Sequence, residues 1–258
     1  MPASPETDRC LDSARISALA RDELAFSRGP HSHASAQLIY AISGVVGVTT
    51  SRGTWIVPPN RAVWVPAEVE HATRSYGPVQ FRAVFVPCGT DCALPRECCV
   101  VAVSPLLREL VLRLVALEGA GKRGPFAQRV SQLLVEELSF HGIQPLSLPM
   151  PQDARLAALC AELRSDPARR TTLEQAAASL GMSRRTFMRT FLRETGLSFG
   201  RWLQQARLME ALPLLARGRS VLSVALDCGY QSPSAFAATF RRSLGTSPRD
   251  YFSGKRDQ

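Results

Sequence analysis

Lysine is almost missing: two of the 31 basic residues are Lys and the rest are Arg. A bias toward Arg accounts for that ratio, but not for where the charge lies. There is no run of about 18 apolar residues, so no membrane-spanning helix and no membrane partner are expected. The opening stretch MPASPETDRCLDSARIS has no apolar signal core, and a cytoplasmic location is expected. No phosphate loop, dinucleotide fingerprint or nucleophile–base triad is present, so the chain is not expected to be an enzyme. The seven cysteines are odd in number and uneven in placement, which fits reduced thiols. Four of them crowd into CGTDCALPRECC, from Cys88 to Cys99. Their spacing matches no zinc pattern, and they read as structural or incidental rather than as an oxidant sensor or soft-metal site.

The chain has 258 residues, 45% of them apolar, which is enough for two ordinary domains. Its formal charge is +9, but residues 1–150 hold 14 basic and 13 acidic side chains, against 17 and 9 in residues 151–258. The excess belongs to one half, so a polyanion partner is expected for that half alone.

Residues 37–87 contain short runs rich in Val, Ile, Trp and Phe, punctuated by Gly, Pro and Asn: AQLIYAISGVVGVTT, GTWIVPP, RAVWVP and VQFRAVFVP. They read as the strands of a sandwich or small barrel. The period then changes. SPLLRELVLRLVALEG opens on a Ser cap and a first-turn Pro, and PFAQRVSQLLVEELSF follows a Gly-rich turn. This apolar helix pair over 104–140 is either a dimer contact or a cover for the strands. GIQPLSLPMPQD, with three prolines, reads as a linker. Beyond it the pattern is helical. The organisation expected is α+β: residues 1–143 an effector-binding and dimerisation domain, 144–153 a linker, 154–258 an all-α domain.

Two segments of the basic half resemble each other: TLEQAAASLGMSRRTFMRTFLRETGLSFGRWL (172–203) and SVLSVALDCGYQSPSAFAATFRRSLGTSPRDYF (220–252). Each has a short Ala/Leu helix, then a Gly (181, 229) suited to a left-handed helix stop, then a Ser (183, 232) suited to an N-cap. Phe187 and Phe191 match Phe236 and Phe240 as i, i+4 core anchors. This is helix-turn-helix geometry, twice. A connecting helix near 198–217 would span roughly 28 Å, close to the ~34 Å between successive major-groove faces.

Residues 172–252 resemble the DNA-binding domain of AraC/XylS-type transcription regulators; Gly229, Ser232, Phe236, Phe240, Arg241, Gly245, Pro248 and Tyr251, with Arg207 on the connector, carry the likeness. The resemblance implies base contacts by Arg185, Met188 and Arg189, with Arg184 and Arg193 on phosphates and Ser183 at the helix start. A bidentate Arg–guanine pair is worth about 1–3 kcal/mol of discrimination. In the second unit the outward positions are read as Ser234, Ala237 and Ala238, small where relatives often carry longer polar side chains, with Ser232 as cap and Arg241 and Arg242 on phosphates. The first unit is therefore expected to carry most of the base readout. Pro213 interrupts the connector and is expected to kink it.

The N-terminal half resembles a cupin, a sensor barrel often fused to such regulators. HSHASAQ (31–37) and PAEVEH (66–71) carry that likeness. In the family's metal-binding form the matching ligands are His31, His33 and His71, but Gln37 stands where a Glu is usual and Glu68 where a Gly is usual; the anionic ligand is missing, so no cofactor is expected, with a divalent metal as the alternative. Three neutral imidazoles could hold a divalent metal such as Zn, Ni or Fe with an open position, hydrogen-bond within the barrel mouth, or line an organic pocket. Tyr40, Trp55, Trp64 and Phe85 are candidates to line that pocket. His141 reads as a surface residue. The function expected is a sequence-specific transcription regulator, an activator that answers to a small effector. Its expected partners are promoter DNA, RNA polymerase and a second copy of the chain. The alternatives are a metal-dependent cupin enzyme tethered to DNA and a general nucleic-acid binder.

Overall fold

The computed structural model describes residues 15–59, 61–89, 94–140, 147–245 and 247–253. His141, Cys92 and all of residues 142–146, the start of the stretch read as a linker, lie outside them. The strands are β1 (Ser17–Glu23), β2 (Ser27–His31), β3 (Ser35–Ala41), β4 (Val46–Thr50), β5 (Gly53–Val57), β6 (Arg61–Val65), β7 (His71–Ser75), β8 (Val79–Pro87), β9 (Cys99–Ala102) and β10 (Ser147–Pro149). They form two five-stranded sheets, in the orders β1-β8-β3-β6-β9 and β10-β5-β4-β7-β2. The run AQLIYAISGVVGVTT is two strands, not one. Gly44 breaks it at φ +82°, where a Cβ would stand 2.3 Å from the Pro78 carbonyl.

Strand alternation sorts the first sheet's side chains. Ala36, Leu38 and Tyr40 of β3, Ala62 and Trp64 of β6 and Val84 and Val86 of β8 join one apolar cluster. That cluster continues into α1 (Pro105–Gly119) and α2 (Pro125–Glu136) through Leu107, Leu114, Val130 and Leu134. Ser104 caps α1, its hydroxyl accepting from Leu107 N at 3.0 Å. The opposite face of β3 presents Gln37 toward β7 of the second sheet.

The chain divides into two compact units, Met1–Val48 with Val57–Pro145, and Thr49–Ile56 with Leu146–Gln258. The stretch expected as linker holds β10, antiparallel to β5, with Leu148 fully buried. Burying Leu148 obliges its main chain to find partners, and the β5 edge supplies them.

The rest of the second unit is helical: α3 (Ala154–Ser165), α4 (Leu173–Ser179), α5 (Arg184–Thr195), α6 (Phe199–Ala216), α7 (Val221–Asp227), α8 (Pro233–Leu244) and α9 (Pro248–Ser253). Trp202 on α6 donates through Nε1 to the Pro149 carbonyl at 2.8 Å. Pro213 sits inside the 18-residue α6, in its last turn, so most of the connector precedes it. Among the described residues no helix is long and apolar enough to cross a membrane.

Candidate nucleic-acid interface and effector site

The first helix-turn-helix unit is α4 and α5. Thr172 and Gln175 form a capping box at the head of α4, and the Ser183 hydroxyl accepts from Thr186 N at 3.2 Å to start α5. Phe187 and Phe191 are fully buried, which turns Arg184, Arg185, Met188, Arg189 and Arg193 to solvent. Arg184 lies 3.5 Å from Glu174, and Arg193 lies 3.3 Å from Glu194. Arg185 and Arg189 make no ion pair among the described residues. Their forks are available for base edges, whereas Arg184 and Arg193 already have local carboxylates.

Leu192 was not anticipated. It is 52% exposed, beside Met188 at 49%. It stands seven residues from Arg185 and four from Met188, so the same helical spacing extends the outward stripe to it.

In the second unit, Ser232 accepts from Ala235 N at 3.1 Å and Pro233 opens α8. Ser234, Ala238, Arg241 and Arg242 are exposed. Ala237 is half-buried and Ala235 is exposed. Ala237 follows the buried Phe236 and flanks the face that carries Thr239 and Phe240 inward.

The three sensor-domain histidines come together. Antiparallel pairing places His31, at the end of β2, opposite His71, at the start of β7. His33 lies in the turn before β3. One ligand atom from each ring lies within 4.8 Å of the others. Every Nδ1 meets a main-chain carbonyl: His31 that of Gly29 at 2.9 Å, His33 that of Ser35 at 2.6 Å, His71 that of Val69 at 2.9 Å. A carbonyl only accepts, so Nδ1 carries the proton and Nε2 keeps the lone pair. Burial of His71 pushes its pKa down to about 4, so that ring is neutral at pH 7.

Nε2 of His33 and Nε2 of His71 lie 3.2 and 3.0 Å from Gln37 Oε1. In the neutral forms of the two rings, lone pairs face this oxygen, an arrangement relieved by an amide turned to offer its NH2 or by a cation among them. The donor set of three neutral imidazoles and one amide oxygen fits a borderline divalent ion, and the carbonyls behind the rings fix their orientation as outer partners do in metal sites.

Glu68 has φ +61°, a left-handed backbone held in spite of its side chain. Its N–H donates to the His33 carbonyl at 3.0 Å and ties the two histidine turns together.

The adjoining cavity, walled by Arg28, His31, Gln37, Thr73 and Phe85, measures about 30 Å³. That exceeds the ~10–15 Å³ needed for a water and falls far short of the ~300–1,000 Å³ of organic ligand sites. Of the four aromatic candidates only Phe85 reaches it. Tyr40 and Trp64 lie on the other face of the first sheet, in the cluster with α1 and α2, because residues one step apart in a strand alternate sides. Trp55 is buried on β5, among the residues grouped with the second unit.

Cys88 is exposed, Cys98 and Cys99 are half-buried, and burial pushes the Cys99 thiol up to about 11.

Comparison with known proteins agrees with this arrangement. A model of the AraC-like ligand binding domain matches residues 14–180, and a helix-turn-helix domain model matches residues 176–254. The HTH-type transcriptional regulator NimR of Escherichia coli K12 is 34% identical over 223 residues, 86% of this chain and 81% of that protein. The HTH-type transcriptional regulator RipA of Corynebacterium glutamicum is 39% identical over 108 residues, 42% of this chain and 32% of that protein. A crystal structure of the DNA-binding domain of AdpA in complex with a target DNA is 39% identical, covering 38% of this chain and 88% of that chain with a TM-score of 0.36. With a ligand-binding domain followed by two helix-turn-helix units, the chain belongs to the AraC/XylS family of DNA-binding transcription regulators.

Proposed function

We propose that residues 154–258 read promoter DNA mainly through α5 and that residues 1–143 convert effector binding into a change in how two such domains are presented to DNA. The observation that carries the reading is the exposed stripe of Arg185, Met188 and Arg189, whose two arginines have no carboxylate partner among the described residues, above a fully buried Phe187 and Phe191. Arg185 and Arg189 read guanine edges and Met188 meets apolar base surface. Ser183, Arg184, Arg193, Ser232, Ser234, Ala238, Arg241 and Arg242 hold the backbone or approach it closely. The chain acts as an activator together with RNA polymerase, without turnover of its own. It works in the cytoplasm as a dimer through α1 and α2. The exposed Leu106, Phe126 and Leu133 on these helices support that contact.

Arg185→Ala should weaken binding to the cognate promoter by about 1–3 kcal/mol and leave binding to competitor DNA nearly unchanged. Titrations of both DNAs at two salt concentrations check this; an equal loss on both would make Arg185 a phosphate contact.

The mouth of the sensor domain takes a divalent metal through His31, His33 and His71, with Gln37 as the amide oxygen donor. The metal would supply a fixed positive centre there, and the chain's own residues do the positioning. Full-length protein should carry near-stoichiometric metal by elemental mass spectrometry, and His33→Ala should lose it. Protein that is metal-free even after incubation with Zn, Ni and Fe(II) would leave the three rings as a hydrogen-bonded remnant.

A further inference from the structure

Among the described residues the cavity at the histidine mouth is too small for an organic molecule. A groove of about 530 Å³ opens between the end of β8 and the helices α1 and α2. It falls within the ~300–1,000 Å³ typical of organic ligand sites, which the mouth does not approach.

The floor of the groove is apolar, with Ile16, Pro87, Leu114 and Ala127. Its rim is polar and, among the described residues, carries one charge without an ion pair. Glu118 is met by Arg15 through two contacts of 2.5 and 3.0 Å, so those two charges offset each other. Arg123, at the other side, is exposed and makes no ion pair among the described residues. Gln128 and Gln132 project from exposed positions of α2 along the wall. An apolar floor with one cation and amides at the rim matches a compact organic anion: a flat or branched hydrocarbon body bearing one carboxylate or sulfonate.

We propose that this groove is a second ligand site of the sensor domain and takes such a monoanion, with Arg123 as its charge partner. The inference rests on the reading of residues 1–143 as an effector-binding domain, and it places organic effectors away from the metal-sized mouth. A ligand seated there touches both α1 and α2, so its occupancy bears directly on the helix pair read above as the dimer contact.

The test uses the full-length protein and 2-naphthoate as a fluorescent probe, with neutral 2-naphthylmethanol as its uncharged counterpart. Wild-type protein should bind naphthoate saturably below ~1 mM, and the alcohol at least ~5-fold more weakly. Arg123→Glu and Gln128→Trp should each weaken naphthoate by ~10-fold or more, the first by reversing the charge and the second by filling the groove from its exposed wall. His33→Ala should leave naphthoate binding unchanged. Thermal melts and promoter binding of the variants without probe report whether the fold and the regulator reading stand apart from this one. No saturable binding by wild type would overturn the proposal. So would equal binding of acid and alcohol, or loss in His33→Ala with retention in Gln128→Trp.

Discussion

Phe191→Ala should destabilise the DNA-binding unit by about 3–5 kcal/mol, a large fraction of the ~5–15 kcal/mol that holds a domain of this kind folded. Phe191 is fully buried. Its ring meets Phe187 at 5.5 Å, Phe199 at 5.4 Å and Trp202 at 5.8 Å between centroids. Four aromatic rings from α5 and α6 thus form one knot, two of the contacts to Phe191 edge-on, and the knot fixes the recognition helix on the connector. Deleting one ring removes its burial and leaves a cavity that its stiff neighbours cannot close. A urea unfolding curve of the full chain, followed by tryptophan emission, should show the Trp202-containing transition moved to much lower urea. Promoter binding should fail at temperatures where wild type binds. Leu192→Ala, one residue along but exposed, should stay within about 0.5 kcal/mol of wild type. An unchanged midpoint for Phe191→Ala would mean that α5 is held by something other than this knot.

The second large effect is expected at Arg207. Its guanidinium, on α6, donates to three carbonyls: Pro167 at 2.9 Å, Arg169 at 3.0 Å and Gly229 at 3.3 Å. Pro167 and Arg169 lie in the α3–α4 loop, ahead of the first unit, and Gly229 is the turn of the second. The fit is close on both sides, since Gly229 has φ +76° and a Cβ there would stand 2.7 Å from the Pro167 carbonyl. One planar fork therefore locks the turn of the second unit to the approach of the first. Arg207→Ala should cost about 2–4 kcal/mol of stability, from charge-assisted bonds that are partly exposed. It should also loosen the angle between the two units. Binding to a promoter that engages both units should fall by ~10-fold or more, because the second contact loses effective concentration. Binding to a half-site read by α5 alone should change little. Arg207→Lys should not rescue, since an ammonium cannot span three carbonyls in a plane. Equal losses on full and half sites would assign Arg207 to general stability alone.

Much of the DNA-binding half was legible because its signals are local. Gly before Ser marks a helix stop and the next cap, Phe at i and i+4 marks the buried stripe, and the whole pattern appears twice within 81 residues. The structure places caps at Ser183 and Ser232, and the glycines before them are left-handed, Gly181 at φ +66° and Gly229 at φ +76°. What depended on exact neighbours did not follow. Ala235 is more exposed than Ala237, and Leu192 extends the stripe. Nothing in the sequence linked Arg207 to the Gly229 carbonyl 22 residues away.

In the sensor half the sequence by itself determined that strands exist, that a capped helix pair follows, and that two histidine turns could meet. Only the tertiary structure decided the rest. β1, β2 and β7 were not read from the sequence: β1 runs into three consecutive charged residues, β2 is largely exposed and interrupted by Gly and Pro, and β7 is mostly polar. Period-two alternation states that Gln37 and Tyr40 lie on opposite faces, but not which face meets the helices. That was set by the pairing of β3 between β6 and β8 and by the docking of α1 and α2 on one side. The same long-range pairing put His31 beside His71, and the bulk of Phe81 and Phe85 left the mouth room for an ion while the larger groove opened beside the helices. Local chemistry writes caps, turns and periodicity into a sequence; the size and address of a cavity arise from surfaces that meet only after distant strands have paired.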